Sequence, residues 1–147
     1  MIREIGHLIL YVSDLDRSRA WYRDVLGMEL VADAEILSGC FLSFGTRDHD
    51  IALIQDEVAT ATKTVHHIAL RFDGDLDGLK AFHRRLLAKG VTVERTVDHG
   101  ISYGVYFLDP DGHRLEVFLE QKRPEATRVE ALRAVGAKSD RIDLQAL

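Results

Sequence analysis

The chain repeats itself once. Gly6-His7-Leu8-Ile9-Leu10-Tyr11-Val12 lies over His66-His67-Ile68-Ala69-Leu70-Arg71-Phe72. After a one-residue adjustment, Leu15-Asp16 matches Leu76-Asp77, and Ala20-Trp21-Tyr22-Arg23 matches Ala81-Phe82-His83-Arg84. Leu26 then falls on Leu87. A period of about 60 residues used twice is a duplicated supersecondary unit, since a solenoid needs at least three copies. Whatever fold the first half adopts, the second half must be able to adopt it too.

Each copy reads as βαβββ. In the first, residues 3–12 alternate loosely and are rich in Ile, Leu and Val, which predicts a strand. Asp14 is a helix-cap candidate, and Leu15, Ser18, Ala20, Trp21, Tyr22 and Leu26 recur at helical spacing up to Gly27, a stop signal. Short strands fit 29–33, 39–45 and 50–55. In the second copy a strand is expected at 65–72, a helix at 76–89 ending at Gly90, and strands at 91–95, 103–108 and 113–120. Asp109-Pro110-Asp111-Gly112 marks the turn between the last two. The expected class is therefore α+β, one domain over 1–147, with modules at 1–58 and 63–120 and a helical tail at 121–147. In that tail Pro124 suits a first helical turn, and Ala126, Val129, Leu132 and Val135 are roughly helically spaced before Gly136, as for a packing or dimer helix. Residues beyond Lys138 are expected to be loosely ordered, as termini often are.

Composition excludes several classes of function. Apolar residues at 46% and charged ones at 29% fit a globular domain with a real core. A net charge of −5 argues against nucleic-acid binding. Cys40 stands alone and can form no internal disulfide, which fits a reducing compartment. The start, MIREIGH, has no apolar signal core, and no run approaches the roughly 18 residues of a membrane span. The expected location is cytoplasmic, with no membrane partner.

His7 and His67 occupy equivalent positions of the repeat, so a two-fold arrangement of the modules sets them symmetrically about one centre. Glu116 sits on the last strand, sharing a face with Arg114 and Phe118, where an unpaired carboxylate would cost several kcal/mol unless a cation compensated it. Two imidazoles and one carboxylate on one side of a metal leave open coordination positions, a pattern that favours iron(II). His66, one residue away from His67, is expected to point to the opposite face and to be structural. His83 and His113 are expected to face solvent.

At this point the chain resembles the vicinal oxygen chelate superfamily, which includes glyoxalases, bleomycin- and fosfomycin-resistance proteins, epimerases and type I extradiol dioxygenases. The resemblance covers residues 3–120. It is carried by IGHLILYVSDLDRSRAWYRDVLGMEL, VHHIALRF and YGVYFLDPDGHRLEVF. It implies two βαβββ modules forming a curved, barrel-like mixed sheet with flanking helices. It also implies His7, His67 and Glu116 as metal ligands. Asp48-His49-Asp50-Ile51-Ala52-Leu53 resembles the His-Asp-Ile-Ala stretch of extradiol catechol-cleaving enzymes. His99, with Tyr106 seven residues later and ten before Glu116, resembles their substrate-contacting pair. The resemblance thus implies His49 as an acid–base residue and His99 and Tyr106 as substrate contacts. The His99–Tyr106 spacing is shorter than in those enzymes, which leaves the role of His99 open. The larger extradiol enzymes carry two paired-module domains; this chain has one pair.

Other branches fit less closely. Fosfomycin-resistance enzymes share the FLDPDGHRLE run, but their threonine two positions after the first ligand is Ile9 here, and their phosphonate-binding arginine falls on Glu125. A glyoxalase I needs a fourth protein ligand where this chain has Ala52 or Leu53. The expectation is an extradiol dioxygenase acting on a catechol-type diol with O2, using iron(II) or alternatively manganese(II). The alternative is a fosfomycin-resistance-type thiol transferase, or a glyoxalase-like or antibiotic-binding member. A homodimer is expected, because a single pair of sheets leaves edges to cover.

Overall fold

The computed structural model describes residues 5–57, 65–121, 128–136 and 138–147. The chain divides into two compact units, one of Met1–Lys63 with Asp109–His113, the other of Thr64–Leu108 with Arg114–Leu147. The turn between the last two long strands therefore belongs to the first unit, not to the module that encodes it.

In the first unit β1 (Leu8–Val12) leads into α1 (Leu15–Leu26), followed by β2 (Glu29–Ala34), β3 (Gly39–Ser43) and β4 (Ile51–Gln55). The helix begins where the sequence says it should. Asp14 caps it, accepting the Arg17 N–H at 2.9 Å, and Gly27 ends it at φ +74°, a conformation that costs glycine little. The sheet runs β1-β4-β3-β2, with β1 and β4 parallel. Its core gathers Val12, Tyr22, Met28, Cys40, Leu42, Ile51 and Leu53 beneath the helix.

The second unit repeats the plan with β5 (Ile68–Arg71), α2 (Leu76–Ala88), β6 (Val93–Asp98), β7 (Ser102–Leu108) and β8 (Arg114–Glu120). Asp75 caps α2 as Asp14 caps α1. The sheet order β5-β8-β7-β6 is the same, with β5 and β8 parallel. Phe82 of α2 packs edge-on against Phe107 of β7, so the helix covers the Phe107 face and leaves the Tyr106 face to the site. The α+β class and the two βαβββ modules are as expected. The strands are shared between two open sheets of four and five, neither closed into a barrel.

The tail departs from expectation. The proposed helix start at Pro124, and Glu125, lie outside the described residues; α3 spans Arg128–Val135 and stops before Gly136 at φ +63°. Beyond Lys138 the chain finds partners in the fold. Asp140–Arg141 forms β9, which pairs antiparallel with β6, and Leu144 is fully buried. Among the described residues no helix is long and apolar enough to cross a membrane.

Candidate metal centre and its surroundings

Sheet register aligns the candidate residues of the second unit. Arg95, Tyr106, Glu116 and Ala69 are successive cross-strand partners on β6, β7, β8 and β5. Since side chains alternate along a strand, Arg95, Tyr106 and Glu116 share one face. His67 stands two residues before Ala69 and therefore on the same face. The Glu116 side chain is 7% exposed, with Oε2 3.0 Å from His67 Nε2 and Oε1 3.5 Å from His99 Nε2. It lies across Gly104, where a Cβ would collide with Glu116 Oε1, so the glycine makes room for the carboxylate.

Each side chain here is held in a definite state. Burial, outweighing the attraction of Glu116, keeps the His67 imidazole below its ordinary pKa and so neutral. Tyr106 is pushed up to about 12, first by burial and then by the charge of Glu116, while Arg95 opposes both. Its hydroxyl thus keeps its proton at neutral pH. His99 Nδ1 lies 2.8 Å from the Lys138 carbonyl, which can only accept; Nδ1 therefore carries a proton, and in the neutral ring Nε2, 3.1 Å from the Tyr106 hydroxyl, is the acceptor. A backbone carbonyl of the C-terminal tail thus orients the His99 ring.

His66 is corrected by the structure. Its Nδ1 sits 2.7 Å from His67 Nδ1, so it hydrogen-bonds the candidate ligand and leaves His67 Nε2 turned toward Glu116. His113 and His83 are corrected too. His113 is half-buried against Asp109 at 2.9 Å, and that hydrogen bond raises its pKa over the opposing effect of burial. His83 is partly buried and meets Gln145 at 3.1 Å.

In the first unit His7 is exposed and stacks on His49, ring centroids 4.3 Å apart, while Phe41 meets His49 edge-on at 4.9 Å. His49 Nδ1 faces Asp48 Oδ2 at 3.3 Å. Its Nε2 is buried with no hydrogen-bond partner among the described residues. Buried polar atoms are rarely left so, and an orphaned imidazole nitrogen points to a group that arrives with a ligand.

Within neither unit do three or more described His, Cys, Asp or Glu side chains form a group able to hold a metal. The second unit supplies two donors, the His67 imidazole and the Glu116 carboxylate. A buried carboxylate beside a neutral imidazole fits a divalent cation, which would balance the charge of Glu116.

Over 122 residues the chain is 29% identical to biphenyl-2,3-diol 1,2-dioxygenase 2 of Rhodococcus globerulus, covering 80% of this chain and 63% of that enzyme. It is 32% identical over 123 residues to the glutathione transferase FosA of Serratia marcescens, covering 80% and 81%. Among solved structures, a variant of the fosfomycin resistance protein FosX from Listeria monocytogenes, complexed with Mn(II) and 1S,2S-dihydroxypropylphosphonic acid, superposes with a TM-score of 0.69 at 20% identity, over 82% of this chain and 95% of that one. The family profile described as Glyoxalase/Bleomycin resistance protein/Dioxygenase superfamily matches residues 4–117, and the chain belongs to that superfamily.

Proposed function

We propose that this chain is an extradiol ring-cleaving dioxygenase for a catechol-type diol, with iron(II) held by His7, His67 and Glu116. The observation that carries the reading is the His99–Tyr106 pair. A phenol that keeps its proton stands 3.1 Å from an imidazole nitrogen that accepts when the ring is neutral, both beside the buried Glu116. One donor and one acceptor side by side suit the hydroxyls of a diol in either protonation state.

Iron(II), when bound, would supply adjacent coordination positions for the diol oxygens and a path by which the electrons of the diol reach O2, so that the diol is oxidised and O2 reduced. The chain's own residues do the rest. Tyr106 donates its O–H to a substrate oxygen, and His99 Nε2 accepts from the hydroxyl beside it. His49, with Nδ1–H turned to Asp48, presents its unpartnered Nε2 as a base that takes a proton from the substrate and returns it as the ring opens. Phe41, edge-on to His49, offers an apolar wall for an aromatic ring. Both oxygen atoms of O2 enter the ring-opened product.

A second reading, a metal-dependent thiol transferase with manganese(II) as the ion, is favoured by one observation: the FosA relative is matched over 81% of its length, the dioxygenase over 63%. Against it stands Ile9 where that branch carries threonine. The deciding experiment uses anaerobically purified, iron-loaded protein. Oxygen uptake equal to the catechol consumed, with a yellow product, is expected. Thiol addition to fosfomycin without oxygen uptake on any catechol would replace the first reading by the second.

A further inference from the structure

Arg95 has no role in the reaction as proposed, yet it stands on the same face as Glu116 and Tyr106. Its guanidinium lies 4.4 Å from the centre of the Tyr106 ring, and its charge is felt at both Tyr106 and His67. No carboxylate among the described residues forms an ion pair with it. The acid next to it, Glu94, is committed to Arg114 through bonds of 2.5 and 2.9 Å. The Arg95 Nε is buried and lacks a hydrogen-bond partner among the described residues. A partly buried cation with an unmet donor is costly to keep, and stacking on a phenol does not satisfy an N–H in the guanidinium plane.

The repeat shows that the fold does not require this side chain. Sheet register makes Ala32 the first-unit counterpart of Arg95: Ala32 pairs with Phe41 as Arg95 pairs with Tyr106, and both strands shift register just before that residue. The same bulge is built on a methyl group in one unit and on a guanidinium in the other. A bulge re-aims the side chain that follows it, and here it delivers a fork of N–H donors beside the phenol proposed to hold a substrate oxygen.

We infer that Arg95 is a specificity-determining residue that pairs with a carboxylate on the substrate ring, so that the preferred diol is a catechol bearing an ionised carboxyl substituent. The inference rests on the dioxygenase reading for the diol, and on Arg95 alone for the anion. The planar guanidinium binds a carboxylate through two parallel hydrogen bonds, which satisfies Nε and neutralises the charge in one step. Tyr106, pinned beneath the guanidinium, would then set the distance between the hydroxyl and carboxyl ends of the ligand.

The test is anaerobic titration of the full-length ferrous protein, where no turnover intervenes, with 3,4-dihydroxybenzoate and with its methyl ester, the same ring without the charge. The wild type should bind the acid more tightly than the ester. Arg95→Gln should cut that preference by about 10–100-fold, the value of a charge-assisted hydrogen bond or two. Arg95→Lys, which keeps the charge but loses the fork, should retain part of it. A wild type with no preference for the acid overturns the inference without any variant. So does an Arg95→Gln protein that loses affinity equally for both ligands, since Arg95 would then only pack on Tyr106. A loss confined to fosfomycin in a parallel titration overturns it as well. Oxygen uptake on the same preparations keeps the two ideas apart: charge-selective binding through Arg95 with no oxygen uptake sinks the dioxygenase reading alone. Oxygen uptake with an unchanged preference in Arg95→Gln sinks the carboxylate assignment alone.

Discussion

The two units are built on one plan and differ along one rung of their sheets. In the first, Ile9, Ala52, Phe41 and Ala32 are cross-strand partners; in the second the corresponding residues are Ala69, Glu116, Tyr106 and Arg95. Strand order, helix caps and the bulge are shared, so the backbone does not distinguish a polar rung from an apolar one. Three substitutions do: Ala to Glu, Phe to Tyr and Ala to Arg. Beside the apolar rung His49 meets Phe41 edge-on and packs against His7.

The strongest way to break this contrast is to make the second rung resemble the first. Glu116→Ala puts alanine where the first unit has Ala52, and metal content after anaerobic purification should collapse. Loss of outer partners alone costs metal sites about 10–100-fold in affinity, and removal of a ligand should exceed that. His7→Ala should do the same if the first unit donates a ligand. A Glu116→Ala protein that keeps its full iron at wild-type affinity would end the assignment, and a His7→Ala protein that does so would confine the site to the second unit.

His49 sharpens the comparison from the other side, because it is the proposed chemical contribution of the apolar unit. His49→Phe should lower turnover by roughly 10²–10⁴-fold, the usual range for a lost proton-transfer group, with iron content unchanged. Wild-type turnover across pH 6–9 would show that the first unit supplies no acid–base chemistry. Tyr106→Phe, which copies Phe41, is milder. It removes a hydrogen bond to a charged oxygen worth about 1.5–3 kcal/mol, and should show as a matching fall in kcat/KM with chemistry retained. No change in kcat/KM would mean the two aromatic residues are interchangeable.

The smallest effect concerns stability at the turn that the second module lends to the first unit. Asp111 accepts from the Ser13 backbone and hydroxyl at 3.0 and 2.5 Å, from Ser18 at 2.9 Å and from Arg17 at 2.7 Å. Burial alone would raise its carboxyl, but these donors together hold it below the usual value. A depressed carboxyl stabilises the fold above the unfolded-chain pKa near 3.9, and that contribution is lost as pH falls through the lowered folded value. Asp111→Asn should cost about 1–3 kcal/mol at neutral pH, read as a lower Tm, and should flatten the loss of stability below pH ~4. An unchanged acid limb in the variant would show that Asp111 does not govern it.

Much of the fold was legible because its signals are local. Asp14, Gly27, Asp75 and Asp109-Pro110-Asp111-Gly112 punctuate the chain through backbone preferences and short-range hydrogen bonds, which do not depend on distant residues. Strand ends drifted by a few residues, as with β1, expected from residue 3 and starting at Leu8 among the described residues. The repeat made His67 a candidate, strand placement and the family resemblance added Glu116, and the resemblance alone added His99 and Tyr106; the structure brings these four together within the second unit. Arg95 was missed because one arginine in a strand carries no pattern; comparing it with Ala32 along the repeat was the signal that could have found it.

The sequence by itself determined the two-module plan and the order of its helices and strands through β8, because periodicity and turn residues act over a few positions. Only the tertiary structure decided which groups meet. It joined Asp111 to Ser13 across 98 residues, paired β9 with β6, buried Leu144, and let the Lys138 carbonyl choose the tautomer of His99. Such contacts depend on where distant segments of the chain come to rest, and no local preference specifies a partner that far away.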